Sequence, residues 1–174
     1  METYKQKEKK SCGPDAVSWA YSRLAGLPYS EAQDKVYRAW GWLSAGDIRD
    51  NLMDSPGQHE RVAKRLGLSF GLATLGELER GQLPSQTTVM LVHLSASDPS
   101  VQHWAVLAAY TSDGRTRWHW GDGTIKELSR ETVREYYSRW APACIYTLSE
   151  SASEPLPWYA RAWAGMMEKL FGSR

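Results

Sequence analysis

The hydrophobic pattern of this chain changes its repeat at Gly67, and that change constrains the fold more than any other feature. Before it, apolar residues recur at helical spacing. Val17, Ala20, Tyr21 and Leu24 share one face of a helix expected over residues 16–24, and Gly26 sits where it would stop. Ser30-Glu31-Ala32-Gln33 reads as a capping box opening a second helix to about Trp40, closed by Gly41. A weaker third helix starts near Ser44 and runs through Ile48, Leu52 and Met53. Pro56-Gly57 breaks the chain, and a fourth helix follows over residues 58–66.

After Gly67 the residues favour strands. Residues 68–73 form a short strand-like piece, and residues 75–80 allow one or two helical turns. Residues 87–94 are β-branched and apolar, a strong strand, and residues 103–111 form another. Asp113-Gly114 is a preferred two-residue hairpin turn, from which residues 115–121 return. A helix from Ser129 to about Trp140 and a strand over residues 143–148, with Cys144 in it, complete the pattern. Helices followed by an antiparallel sheet make an α+β fold.

With 174 residues, one domain is the default. It is expected over residues 1–148, with residues 149–157 a linker by composition. In the tail Trp158, Tyr159, Ala162, Trp163, Met166, Met167, Leu170 and Phe171 fall at helical spacing. That C-terminal amphipathic helix, residues 158–174, is expected to pack on its own domain, with a partner or second-copy interface or a membrane surface as the alternatives.

A net charge of +1, with only the short basic stretch from Lys5 to Lys10, argues against nucleic-acid binding. Two cysteines are too few for a disulfide scaffold and fit a reducing compartment. The N-terminus lacks the apolar stretch of a secretory signal, and no apolar run approaches the roughly 20 residues of a membrane span. A cytoplasmic location is the expectation. No zinc spacing or phosphate loop is present, so no metal or cofactor is implied. Nine tryptophans and nine tyrosines against two phenylalanines supply rings for a core and for a cleft, with Trp40, Trp42 and Trp104 as candidates for the latter.

Chemistry concentrates at Ser11-Cys12-Gly13-Pro14-Asp15, where Cys12 lies just before a helix N-terminus. Pro14 suits the first turn and Asp15 the positive end of the dipole, which also favours thiolate over thiol. A thiolate nucleophile needs a base. Among four histidines, His59 reads as surface, His93 sits within an apolar strand, and His119 lies between Trp118 and Trp120. His103 opens a strand after a polar loop, where sites are assembled.

With a two-residue turn at Asp113-Gly114, His103 faces Thr124, and Asp122 lies diagonal to His103 on the same face. A loop one residue longer would move Asp122 to the other face. A carboxylate fixes the imidazole tautomer, so the second nitrogen can take a thiol proton. The backbone N–H of Cys12 and the side-chain amide of Gln6 are candidate oxyanion donors.

Gln6, Cys12-Gly13-Pro14, His103-Trp104-Ala105-Val106 and Asp122 together resemble the papain-like cysteine peptidases. Within that clan the chain is most similar to the bacteriocin-processing, double-glycine-leader peptidase family and its stand-alone relatives, over residues 6–148. The chain departs from that pattern at Ser11, Asp15 and Gly123, where an acid, a small residue and a proline are usual.

The resemblance implies a bacterial or phage cysteine peptidase or thiol hydrolase that cleaves a peptide or isopeptide bond in a peptide or protein substrate. Cys12 would be the nucleophile, His103 the base, Asp122 the orienter and Gln6 an oxyanion donor. Two other readings stay open: a non-catalytic peptide- or protein-binding module, and a papain-fold amidase or transferase effector.

Overall fold

The computed structural model describes residues 2–7, 11–41, 56–94, 102–138 and 145–151. The expected third helix, Trp42, Cys144 and the tail helix lie outside the described residues.

Three helices come first, α1 (Cys12–Ala25), α2 (Tyr29–Trp40) and α3 (Pro56–Arg65). Helix α1 starts four residues earlier than its apolar pattern indicates, so Cys12 is its first residue and not the one before it. It ends at Gly26, whose φ of 63° places it in the left-handed region that glycine adopts without penalty. The expected capping box of α2 is absent. The helix begins at Tyr29 behind Pro28, and the Ala32 N–H closes its first turn on the Pro28 carbonyl at 3.0 Å. Pro56 starts α3, a position where its missing N–H costs nothing.

Six strands follow with two more helices between them: β1 (Leu68–Ala73), α4 (Leu75–Glu79), β2 (Thr88–His93), β3 (Gln102–Tyr110), β4 (Thr116–His119), β5 (Ile125–Leu128), α5 (Arg130–Ser138) and β6 (Ile145–Glu150). They form one antiparallel sheet in the order β1-β6-β2-β3-β4-β5. Strand β6 runs through Glu150, so the first two residues of the expected linker belong to the sheet.

The sheet is covered on both faces. Val89, Leu91, Trp104, Val106, Tyr146 and Leu148 pack with Val17, Ala20, Val36 and Val62 of the first three helices. The alternate residues Met90, Val92, Ala105, Leu107 and Ile145 pack with Leu78 of α4 and Val133 of α5. Burial on both faces explains why β2 and β3 read as continuous apolar runs without polar alternation.

His59 is fully buried, against the sequence expectation of a surface position. Its ring lies between Trp40 and Trp104, with centroids 5.1 and 4.1 Å away, and its Nδ1 is hydrogen-bonded to the Tyr146 hydroxyl. Desolvation lowers its pKa to about 3. Trp104 is 1% exposed and belongs to the core, not to a cleft.

The hairpin between β3 and β4 is longer than a two-residue turn. The Thr111 N–H bonds the Arg115 carbonyl at 3.0 Å, and the Gly114 N–H bonds Thr111 O at 3.1 Å. Tyr110 therefore pairs with Thr116, one residue off the expected register. A bulge between Leu107 and Ala109 then shifts the pairing once more, so Val106 faces His119. Two single shifts restore the original alternation, which returns Asp122 to the side of His103.

Candidate active site

The chain between β4 and β5 makes a tight loop. The Trp120 N–H bonds the Thr124 carbonyl at 3.1 Å. Gly121 and Gly123 take φ values of 73° and 86°, a conformation that costs other residues about 1–2 kcal/mol. The N-terminal arm pairs with this loop as a short extra strand. Gln6 N–H donates to Gly121 O at 2.7 Å, Gly123 N–H donates to Tyr4 O at 3.1 Å, and Lys5 and Asp122 form an antiparallel bridge.

That pairing assembles a cavity of about 370 Å³ lined by Lys5, Gln6, Lys7, His103, Trp120, Gly121 and Asp122. Three of the four residues expected at the site, Gln6, His103 and Asp122, thus meet around one space. Gln6 packs tightly on the loop, and a Cβ on Gly121 would lie 3.2 Å from Gln6 Oε1.

His103 is half-buried at the start of β3. Its Nε2 lies 2.7 Å from the Trp120 carbonyl oxygen. A carbonyl only accepts, so Nε2 carries the proton and Nδ1 presents its lone pair. The Trp120 ring lies against the imidazole, with centroids 5.0 Å apart. Burial lowers the His103 pKa; the Trp120 carbonyl opposes this, the charge of Lys126 adds to it, and Asp122 opposes it last.

Asp122 is exposed. Its Oδ1 accepts from the Thr124 N–H at 2.8 Å and from the Thr124 hydroxyl at 2.5 Å. Burial pushes its carboxyl up, but the Thr124 bonds and Lys126 outweigh this and hold it below the ordinary value. The sequence reading makes Asp122 the direct orienter of the imidazole. In the structure the Trp120 carbonyl holds Nε2, and Asp122 reaches His103 as an electrostatic influence.

Cys12 is half-buried at the head of α1, which packs across β3. Cys12 does not line the cavity, but the buried Tyr4 ring feels both it and Asp122. The Tyr4 phenol is 2% exposed, and its pKa is raised by burial first, then by Asp15, Cys12 and Asp122. One buried ring therefore lies within electrostatic reach of both the thiol and the loop carboxylate.

Asp15, one of the departures from the peptidase pattern, is completely buried. It accepts hydrogen bonds from the Lys7 N–H at 2.8 Å, Gln33 Nε2 at 2.6 Å, Tyr29 Oη at 3.1 Å and Tyr37 Oη at 3.2 Å, and from the Ser11 hydroxyl. The carboxylate ties the arm, α1 and α2 together, and its donors compensate its burial. Ser11, a second departure, is one of those donors.

Sequence reasoning missed Tyr4, the Trp120 carbonyl and the bonding of Thr124 to Asp122. Asp122-Gly123-Thr124 carries the pattern of a side chain bonding its own backbone two residues on, so Thr124 was within reach. Among the described residues, no three His, Cys, Asp or Glu side chains converge as a metal site.

No family model and no curated protein sequence matches the chain. Among solved structures it is similar to the peptidase domain of Streptococcus ComA, a bifunctional ABC transporter involved in a quorum-sensing pathway. The TM-score is 0.58 at 17% identity, covering 85% of this chain and 97% of that domain. The fold is that of a papain-like peptidase domain. No described helix is long and apolar enough to cross a membrane.

Proposed function

We propose that the protein is a papain-like thiol hydrolase that cleaves a peptide or isopeptide bond through an acyl-enzyme. The observation that carries this reading is the 2.7 Å approach of His103 Nε2 to the Trp120 carbonyl oxygen, in the wall of the cavity that Gln6 and Asp122 also line. A carbonyl only accepts, so Nε2 holds the proton and Nδ1 is left as a proton acceptor.

Cys12 Sγ attacks the substrate carbonyl carbon as its proton passes to His103 Nδ1. The oxyanion is met by the Cys12 backbone N–H at the head of α1 and by the Gln6 side-chain amide. The tetrahedral intermediate collapses, the C–N bond breaks, and the departing amine takes the proton from His103. Water then gives a proton to His103 and attacks the thioester carbonyl. The C–S bond breaks, releasing the acid and restoring the thiol. Asp122 stabilises the imidazolium through its charge, and the Trp120 carbonyl keeps the ring in place.

The fold likeness to a peptidase domain supports this reaction class. The test is incubation of the protein with a complex peptide library, read by mass spectrometry. New termini should form with the wild type and be absent with Cys12→Ala and His103→Ala. Equal product in Cys12→Ala would rule the reading out.

A further inference from the structure

We propose that the cavity beside His103 receives an acidic stretch of the substrate, on the leaving-group side of the scissile bond. This rests on the thiol-hydrolase reading above. His103 has to hand its proton to the leaving nitrogen, so the chain beyond that nitrogen enters the space next to His103. That space is the cavity of about 370 Å³.

Its walls carry an excess of positive charge. Lys5 and Lys7 line it from the arm. Lys126 stands over the Trp120 ring, 4.2 Å from its centroid, and its charge reaches both His103 and Asp122. All three lysines are exposed, and none is ion-paired among the described residues.

The one carboxylate in the wall, Asp122, already accepts two hydrogen bonds from Thr124. Within the wall it offsets one of the two lysine charges, and Lys126, over the Trp120 ring, adds a further positive charge beside the cavity. The short basic stretch that does not suit nucleic acid therefore has a different use: its first two lysines are fixed beside a reaction centre. A cleft with an excess of one sign of charge favours a ligand of the opposite sign.

The test uses the full chain carrying Cys12→Ala, so that binding is read without turnover. The probes are two fluorescein-labelled alanine-glycine decapeptides, one with three consecutive glutamates and one with three consecutive lysines at the same positions. Fluorescence anisotropy at about 50 mM salt should show the glutamate peptide binding about tenfold tighter or better, with the preference shrinking toward about 500 mM salt. Adding Lys5→Glu and Lys126→Glu should reverse it.

Equal affinity for the two peptides, absence of binding to the glutamate peptide, or a preference unmoved by the double reversal would overturn the proposal. Where the wild type cleaves a peptide library, glutamate and aspartate should be enriched within about three positions after the cleaved bond; enrichment only before it overturns the side assigned here. A glutamate preference without any cleavage by the wild type would instead sink the hydrolase reading and leave the acidic site standing.

Discussion

His103 Nε2 lies 2.7 Å from the Trp120 carbonyl oxygen, so a backbone atom at the end of β4 sets the tautomer of the imidazole at the start of β3. This relationship determines which nitrogen can act as base.

The pH profile follows from the surroundings of His103. Burial depresses its pKa below the ordinary 6.5, so the ring is neutral and able to act as base at pH 7. The acid limb of kcat/KM should lie below pH 6.5. Lys126→Gln removes a charge that opposes the imidazolium, so it should move that limb to higher pH. Asp122→Asn removes a charge that favours the imidazolium and should move it lower. A limb that stays put in both variants would remove these charges from the account.

Gly121 and Gly123 separate backbone strain from site geometry. Both have positive φ, and alanine at either should cost about 1–2 kcal/mol of stability in urea unfolding. A Cβ on Gly121 would also press on Gln6 Oε1 at 3.2 Å and the Tyr4 ring at 3.3 Å, whereas one on Gly123 meets nothing within 4 Å. Turnover should therefore fall sharply in Gly121→Ala and stay near wild type in Gly123→Ala. An equal loss in both would mean that the position of Gln6 does not matter.

Asp15 is a structural clamp. Asp15→Ala leaves the buried donors on Ser11 and Tyr37, and the part-buried ones on Gln33, Tyr29 and the Lys7 backbone, without their acceptor. Loss of about 3–5 kcal/mol is expected in chemical denaturation. A change below about 1 kcal/mol would show that the clamp contributes little.

His59 makes the fold acid-sensitive. Its folded pKa of about 3 lies below the ordinary 6.5, so between those values the unfolded chain binds the proton and the folded chain does not. Stability therefore falls as pH drops through that window, by about 1.4 kcal/mol per pH unit for this one group. His59→Gln should lower overall stability and flatten the dependence between pH 4 and 6 by about that slope. An unchanged slope would place the acid sensitivity elsewhere.

Much of the architecture was legible because it is local. Gly26 and Gly41 end their helices where the pattern indicates, and the apolar runs of β2 and β3 mark a sheet covered on both faces. Strand β5 was not recognised, since Ile125-Lys126-Glu127-Leu128 is a short edge strand with two exposed charges at its centre. The hairpin is wider than Asp113-Gly114 alone indicates because the Thr111 hydroxyl bonds Asp113 and the Arg115 carbonyl. The burial of His59 has no local signature because its environment comes from Trp40, Trp104 and Tyr146, which lie far from it in sequence. At the site, sequence could propose Gln6, His103 and Asp122, and the cavity joins them. It could not reveal that a main-chain carbonyl holds His103, since that acceptor has no side-chain signature.

The central claim, a Cys12 thiol activated by His103, is tested most directly by the iodoacetamide labelling rate against pH, read by intact mass on wild type, Cys12→Ala and His103→Ala. The account predicts one thiol that labels rapidly at and below pH 7, is lost in Cys12→Ala, and slows about tenfold or more in His103→Ala. A Cys12 that labels only as an ordinary thiol with a pKa near about 8.5, at a rate indifferent to His103→Ala, would contradict it.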